Sequence, residues 1–532
     1  MADRPWWHGA VLYQLYVRSW RDSNGDGYGD LRGIIERLDH LSWLGVDGIW
    51  LSPTMPSPDQ DWGYDVSDYT GVHPELGTLE DLDALLAAAA ERGIRVLLDL
   101  VPNHTSSAHP WFVDAVSARD AEHRDYYVWA DPAPDGGPPN NWLDATGQPA
   151  WQWDAATSQY YLHNFLPGQP DLNWWLPSVH AEFREILRFW FDRGIAGFRI
   201  DVAHGLYKDA DLRDNPVLPP GSSRLDGRFG QRPVYNANRP ETHSVYRDWR
   251  KIAEGYSPAK LLVGETWVSD LGRLASYYGD GDELQLAFNF PFAFTDFNAT
   301  RLADVVAQTM AALPADACPV WTGSNHDIGR FPTRWCAADE RKARLALLVL
   351  SMLPGTVVLY YGDEIAMTDV DVPAGLQRDT MTLGGHNPQG NRDRARTPMQ
   401  WDDSPSGGFT ADGVRPWLPL PSSSLPATSR SVASQRDDHS STLWLTRRLL
   451  ALRRAELAGG ASGLETLVST KDQWVFQAGQ LVVAANLSDR SVSLPAAAGE
   501  VLLVSSGPDW QDRGLGSAVL GPWEGVVARQ PH

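Results

Sequence analysis

The segment SVHAEFREILRFWFDRGIAGFRIDVAH (178–204) contains the unit from which the whole chain is built. Residues 178–194 repeat apolar side chains at helical spacing and stop at Gly194, the residue type that most easily takes the left-handed turn at a helix end. AGFRIDV (196–202) is then almost continuously apolar, as a strand buried on both faces requires. Outward from it the same kind of run recurs at VLYQLYV (11–17), VDGIWLS (46–52), RVLLDLV (95–101), KLLVGET (260–266), LQLAFNF (284–290), CPVWTGS (318–324) and TVVLYYG (356–362). Helix-like stretches such as LRGIIERLDHLSWLG (31–45) and TLEDLDALLAAAAERG (78–93) lie between them. Eight strands alternating with helices predict an α/β fold of the (β/α)8 TIM-barrel type, because open doubly wound sheets more often stop at five or six.

Three connections are too long for simple loops. Residues 105–177, rich in Trp, Tyr, Pro, Asn and Asp, predict a small inserted domain after strand three, and 205–245 and 366–412 predict two further excursions at the same mouth. LWLTRRLLALRRAELAG (443–459) reads as the last barrel helix. Beyond it LVST, WVFQAG, LVVAANLS and VLLVSS alternate with turn residues. The expected organisation is therefore a barrel over 1–104 and 178–459, an inserted domain over 105–177, and a C-terminal antiparallel β-sandwich over 460–532.

The chain has 532 residues, 43% hydrophobic and 21% charged, with 67 acidic against 45 basic side chains and a net charge of −22. That charge repels polyphosphates, so nucleic acid is excluded as a partner. No run approaches the ~20 apolar residues of a membrane span. With two cysteines, Cys318 and Cys336, and no basic-then-apolar leader, a cytoplasmic location is expected. The 24 tryptophans suit cores and also stack on sugar rings.

Four runs end in unusual polar residues where the C-terminal mouth of a barrel would lie: DLVPNH (99–104), GFRIDVAH (197–204), VGETW (263–267) and SNHDIGR (324–330). A strand-end carboxylate more often caps the next helix, but four such ends in one barrel reverse that preference. Arg199 and Asp201, two apart, share a strand face, and the guanidinium is expected to keep the carboxylate ionised, as a nucleophile requires. Glu265, after an apolar run, is expected in surroundings that raise its pKa, as a general acid needs. A carboxylate pair in a Trp-rich cleft suits glycoside cleavage.

In order and spacing, these four segments resemble the conserved regions of the alpha-amylase family, glycoside hydrolase family 13. The resemblance covers nearly the whole chain and implies Asp201 as nucleophile, Glu265 as acid/base and Asp327 as transition-state stabiliser. It implies His104, Arg199 and His326 as ligands of the cleaved glucose. DWGYDVSDY (61–69), QPDLNW (169–174) and NRDRARTPMQW (391–401) resemble the exo-acting α-glucosidase and oligo-1,6-glucosidase branch, with Asp61, Tyr64 and Arg392 gripping a terminal glucose and Tyr64 as its stacking platform. Trp174 and Trp401 in these segments read equally as sugar contacts or as scaffolding.

The loop DSNGDGYGD (22–30) offers oxygen donors at Asp22, Asn24, Asp26 and Asp30 with the Tyr28 carbonyl between them, a hard-cation pattern. Position twelve is Gly33 rather than the bidentate glutamate of an EF-hand. In the branch named above such a loop holds calcium, so a structural calcium or magnesium ion is expected. The branch's oligo-1,6-glucosidases place asparagine where this chain has His204, and DVAH resembles α-glucosidases of α-1,4 or broader preference. His204 is expected on the leaving-group side. The substrates implied are small α-glucosides, cleaved by hydrolysis or transferred to another sugar, by a monomer or homodimer. Rival readings are an oligo-1,6-glucosidase, a sucrose-using transglucosidase, trehalose synthase and an inert binding relative.

Overall fold

The structure is a computed structural model, and it describes residues 5–219, 227, 229–383, 390–420, 430–457, 463–494, 500–507 and 519–530. Parts of the excursions read over 205–245 and 366–412, and of the tail over 460–532, lie outside the described residues. Eight parallel strands form one sheet: Val11–Leu15, Gly48–Leu51, Arg95–Leu100, Gly197–Ile200, Leu261–Gly264, Leu286–Ala287, Val320–Thr322 and Thr356–Tyr360. They are the eight runs read from the sequence, counted here as barrel strands one to eight. Strand one pairs with both strand two and strand eight, so the sheet wraps round as a TIM barrel. Among the described residues no ladder joins the two-residue strand six to strand seven.

Local chemistry fixes the helices between strands. Leu31–Leu44 begins at Asp30, whose side chain accepts from the Gly33 amide, and ends at Gly45 with φ 95°. Leu79–Glu91 begins with a reciprocal cap between Thr78 and Asp81. Pro177–Arg193 ends at Gly194, φ 111°, in the left-handed region that favours glycine. The last barrel helix is Thr442–Glu456. None of the described helices is long and apolar enough to cross a membrane.

Between strands three and four, a three-stranded antiparallel sheet (Trp129–Ala130, Gln159–Leu162, Trp151–Asp154) carries its own core of Trp142, Ala150, Trp151 and Leu162. After the last helix comes a five-stranded antiparallel sheet, with a short ribbon of Val492–Ser493 and Val519–Leu520 packed over one face through Leu494 and Leu520. Most tryptophans serve the core. Trp174 and Trp401 are 1% and 4% exposed, with their indole N–H groups on the carbonyls of Pro102 and Trp20, so scaffolding is their role here.

Arg453 shows how the barrel floor is tied together. Fully buried, it donates to the carbonyls of Gly9 (3.1 Å), Ser351 (2.8 Å), Leu353 (2.7 Å) and Gly355, joining the last helix to the entries of strands one and eight. Arg453→Met would leave several buried acceptors unpartnered and is expected to cost about 3 kcal/mol or more of stability. A denaturant midpoint indistinguishable from the parent would refute this.

Candidate active site

A cavity of about 440 Å³ opens at the C-terminal mouth of the barrel, within the size range of small-molecule clefts. Eight of the residues singled out from the sequence line it: Asp61, Tyr64, His104, Asp201, His204, Glu265, Asp327 and Arg392. Arg199 and His326, 1% and 0% exposed, stand behind the wall rather than in it.

Arg199 organises the wall. Barrel register sets Asp99 beside Arg199 on adjacent strands, and Arg199 is two residues from Asp201 on its own strand. Its Nη1 donates to Asp99 Oδ1 at 2.8 Å and to Asp201 Oδ1 at 2.7 Å, while Nη2 lies 3.1 Å from Glu265 Oε2. The same Oε2 accepts from the Val202 amide at 2.9 Å. Val202 holds φ 44°, a left-handed conformation that costs a β-branched residue strain. Glu265 thus meets a guanidinium from strand four and an amide from the turn after it.

Burial dominates the Asp201 carboxyl and raises its pKa well above the usual range; Arg199 opposes this, while Glu265, Asp99 and Asp327 reinforce it. Three carboxylates share that one guanidinium, which draws the Asp201 pKa down without overcoming burial. Asp99 is likewise pushed up, to about 6, chiefly by burial. Asp327 goes the other way. Burial would raise it, but His326, Arg392, Arg396 and Arg199 together hold it well below the carboxylate range.

A second charged cluster, around Arg392, also lines the cavity. Arg392 donates Nη2 to Asp61 Oδ1 (2.7 Å) and to Asp379 Oδ1 (2.7 Å), and Nη1 to Asp327 Oδ1 (3.1 Å). Tyr64 lies parallel to His326, interplanar angle 1° and centroids 5.3 Å apart, with its hydroxyl 2.5 Å from Nε2. His104 donates from Nε2 to the Tyr64 carbonyl at 2.9 Å. His204 Nδ1 accepts from the Trp267 amide at 3.3 Å, which sets the ring beside Glu265 on the open side.

In the loop 22–30, Asp22 accepts amide hydrogens from Asn24, Gly25 and Gly27. Asn24 and Asp26 bond each other, Asp26 accepts from the Tyr28 amide, and Asp30 accepts from Ser23 and Gly33. All the donors facing a cation there would be oxygens, and several of these oxygens already accept amide hydrogens. Among the described residues, three ligand atoms of His, Cys, Asp or Glu converge only at Asp59, His73 and Glu75, where the Arg18 guanidinium already pairs with both acids.

Residues 14–459 match the model described as alpha amylase, catalytic domain, and 459–527 match a domain of unknown function, DUF3459. The chain belongs to the alpha-amylase family. It is a glycoside hydrolase. A probable alpha-glucosidase of Rhizobium meliloti is 43% identical over 86% of this chain and 84% of its own. An oligo-1,6-glucosidase of Heyndrickxia coagulans is 35% identical over 92% and 93%. The crystal structure of an alpha-glucosyl transfer enzyme superposes with a TM-score of 0.91 at 37% identity, covering 99% of this chain and all 100% of that one.

This alpha-amylase family enzyme also carries site residues that no local pattern marked. Asp379, fully buried, accepts from the Arg392 amide (2.9 Å) and from its Nε (3.0 Å). Gln169 reaches Asp61 at 3.3 Å from the segment QPDLNW, whose spacing alone could have drawn attention to it. Lys208 donates to Asp171 Oδ2 (2.7 Å) and Asn103 Oδ1 (2.8 Å), pinning the inserted domain to strands three and four. Lys208→Met would leave Asp171 buried without its cation. The expected loss is about 3–5 kcal/mol, read as a lowered melting temperature together with faster proteolytic nicking in 105–177. An unchanged melting temperature would disprove it.

Proposed function

We propose that the protein is an exo-acting, retaining α-glucosidase that releases α-glucose from the non-reducing ends of maltose-type disaccharides and short oligosaccharides, and transfers it to sugar acceptors as well as to water. The observation that carries this is the Arg392 ion-pair set with Asp61, Asp379 and Asp327. We read this set as the closed end of the cavity, with room for a single terminal sugar beyond the cleaved bond. The relatives and the structural neighbour named above, hydrolases and a glucosyl transferase, support both outcomes.

Asp201 attacks the anomeric carbon while Glu265 gives its proton to the leaving oxygen, forming a β-glucosyl-enzyme. Adjacent nitrogens of Arg199 hold the two carboxylates side by side, as the retaining mechanism needs. Glu265 then takes a proton from water or an acceptor hydroxyl. Asp327, held ionised, accepts hydroxyls of the flattened ring more strongly than those of the relaxed sugar. His204 stands on the acceptor side, and DVAH points to α-1,4 linkages.

Proton NMR of the enzyme with equal maltose and isomaltose tests this. Maltose should disappear first, with α-glucose ahead of its mutarotation. Isomaltose consumed first makes the enzyme an oligo-1,6-glucosidase, and β-glucose as first product refutes retention. Asp201→Asn and Glu265→Gln should each lower kcat by at least about a thousandfold with an unchanged melting curve.

We further propose that Asp22, Asn24, Asp26, Asp30 and the Tyr28 carbonyl hold a structural calcium or magnesium ion, the hard oxygen set being the support. Chelation with EDTA should lower the melting temperature and added calcium or magnesium restore it; a curve insensitive to both removes the ion. The two buried, unpaired cysteines support work in the cytoplasm, as a monomer or homodimer.

A further inference from the structure

The segment NRDRARTPMQW contributes a second arginine to the site, four residues beyond Arg392 across the short 3-10 turn Arg392–Ala395. Arg396 is 0% exposed and does not line the cavity. Its Nη2 donates to Asp327 Oδ1 at 3.1 Å, the same oxygen that accepts from Arg392 Nη1 at 3.1 Å. Its Nε donates to the His326 carbonyl at 3.0 Å, one residue away on the same chain turn. The guanidinium faces the Tyr16 ring at 5.3 Å, and Tyr16 stacks on Trp417. Its Nη1 is buried without a hydrogen-bond partner.

That last point separates Arg396 from a structural arginine such as Arg453, which spends its donors on four carbonyls. An orphan guanidinium nitrogen is unfavourable. It is retained where the remaining contacts place the cation on Asp327. The two arginines approach one carboxylate oxygen, Arg392 from the cavity and Arg396 from behind it. Asp327 Oδ2, 3.3 Å from His326 Nε2, is the oxygen that neither arginine engages.

We propose that Arg396 is a positioning residue: by anchoring Asp327 Oδ1 from behind, it fixes the rotation of that carboxylate and keeps it ionised, so that Oδ2 is presented to the hydroxyls of the reacting sugar. The groups facing Asp327 are His326, Arg392, Arg396, Arg199, Asp201 and Tyr64, and of the cations Arg392 alone also touches the cavity. Arg392 thus combines sugar recognition with charge, whereas Arg396 acts only through Asp327. The inference rests on the role given to Asp327 above.

A double-mutant cycle between Arg396 and Asp327 tests it, with α-glucosyl fluoride as the substrate so that weak variants remain measurable. Arg396→Met is expected to lower kcat at least about tenfold with little change in KM, the pattern of a lost transition-state contact. On the Asp327→Asn background the same substitution should change kcat less than about twofold. Arg396→Lys, which keeps the charge but cannot reach both Asp327 and the His326 carbonyl, should recover part of the rate and runs the same cycle if the methionine variant does not fold. Equal losses on both backgrounds, or a loss confined to KM, overturn the role of Arg396. Full activity of Asp327→Asn itself overturns the role of Asp327 instead.

Discussion

Everything at the barrel mouth depends on one guanidinium having to serve three buried carboxylates. Arg199 contacts Asp99, Asp201 and Glu265 from strands three, four and the end of five, and no other cation reaches that wall at hydrogen-bonding distance among the described residues. A buried cation with one acid partner is at best neutral for stability, since desolvation offsets attraction. With three partners the balance changes. The carboxylates repel one another and burial disfavours their charge, so the cluster holds protons at a pH where exposed carboxylates would have none. The register Asp99 opposite Arg199 is consequently a chemical requirement as well as a packing one.

Across the cavity the proportions are reversed. Asp327 faces Arg392 and Arg396 directly, with His326 at its other oxygen, and its carboxyl is drawn down. Two sets of acids a few ångströms of cavity apart are thus driven in opposite directions by the ratio of cations to anions around each. Such a split is the physical signature of divided labour between a proton donor and a permanently charged stabiliser. It arises from the barrel bringing the ends of strands two, three, four, five and seven and the 391–401 segment to one opening.

What the sequence revealed and what it hid follow from range. Buried strands announce themselves locally, by composition and period, and all eight were legible; so were residues whose neighbours in sequence are their neighbours in space, such as Arg199 and Asp201. Asp61 and Arg392 meet across 331 residues and could be paired only through family resemblance. Asp379, Arg396 and the Lys208–Asp171 pair had no such signal, because a charged residue in a loop looks the same whether it ends in solvent or is buried against a partner. The contacts of Glu265 were hidden for a related reason: an apolar run preceding a residue describes its own strand, not what the turn after the neighbouring strand supplies. Trp174 and Trp401 were ambiguous because a tryptophan that fills a core and one that stacks on sugar have the same local pattern.

Val202 joins the fold to the chemistry. A valine at φ 44° is strained, and strain survives only where surrounding contacts outweigh it. Here the gain is an amide hydrogen aimed at Glu265 Oε2, together with the turn that carries the chain from Asp201 to His204 at the open side. Glycine would accept this conformation without cost, but its backbone would also sample others, and the amide would no longer be fixed. A β-branched residue in the left-handed region has few alternatives once the barrel has closed around it: Ala203 N donates to the Glu265 carbonyl at 3.0 Å, and Asp201 N to the Leu100 carbonyl at 2.8 Å. The strained residue therefore acts as a rigid bracket between the two carboxylates, and stability given up at one dihedral appears as fixed geometry at the reacting centre.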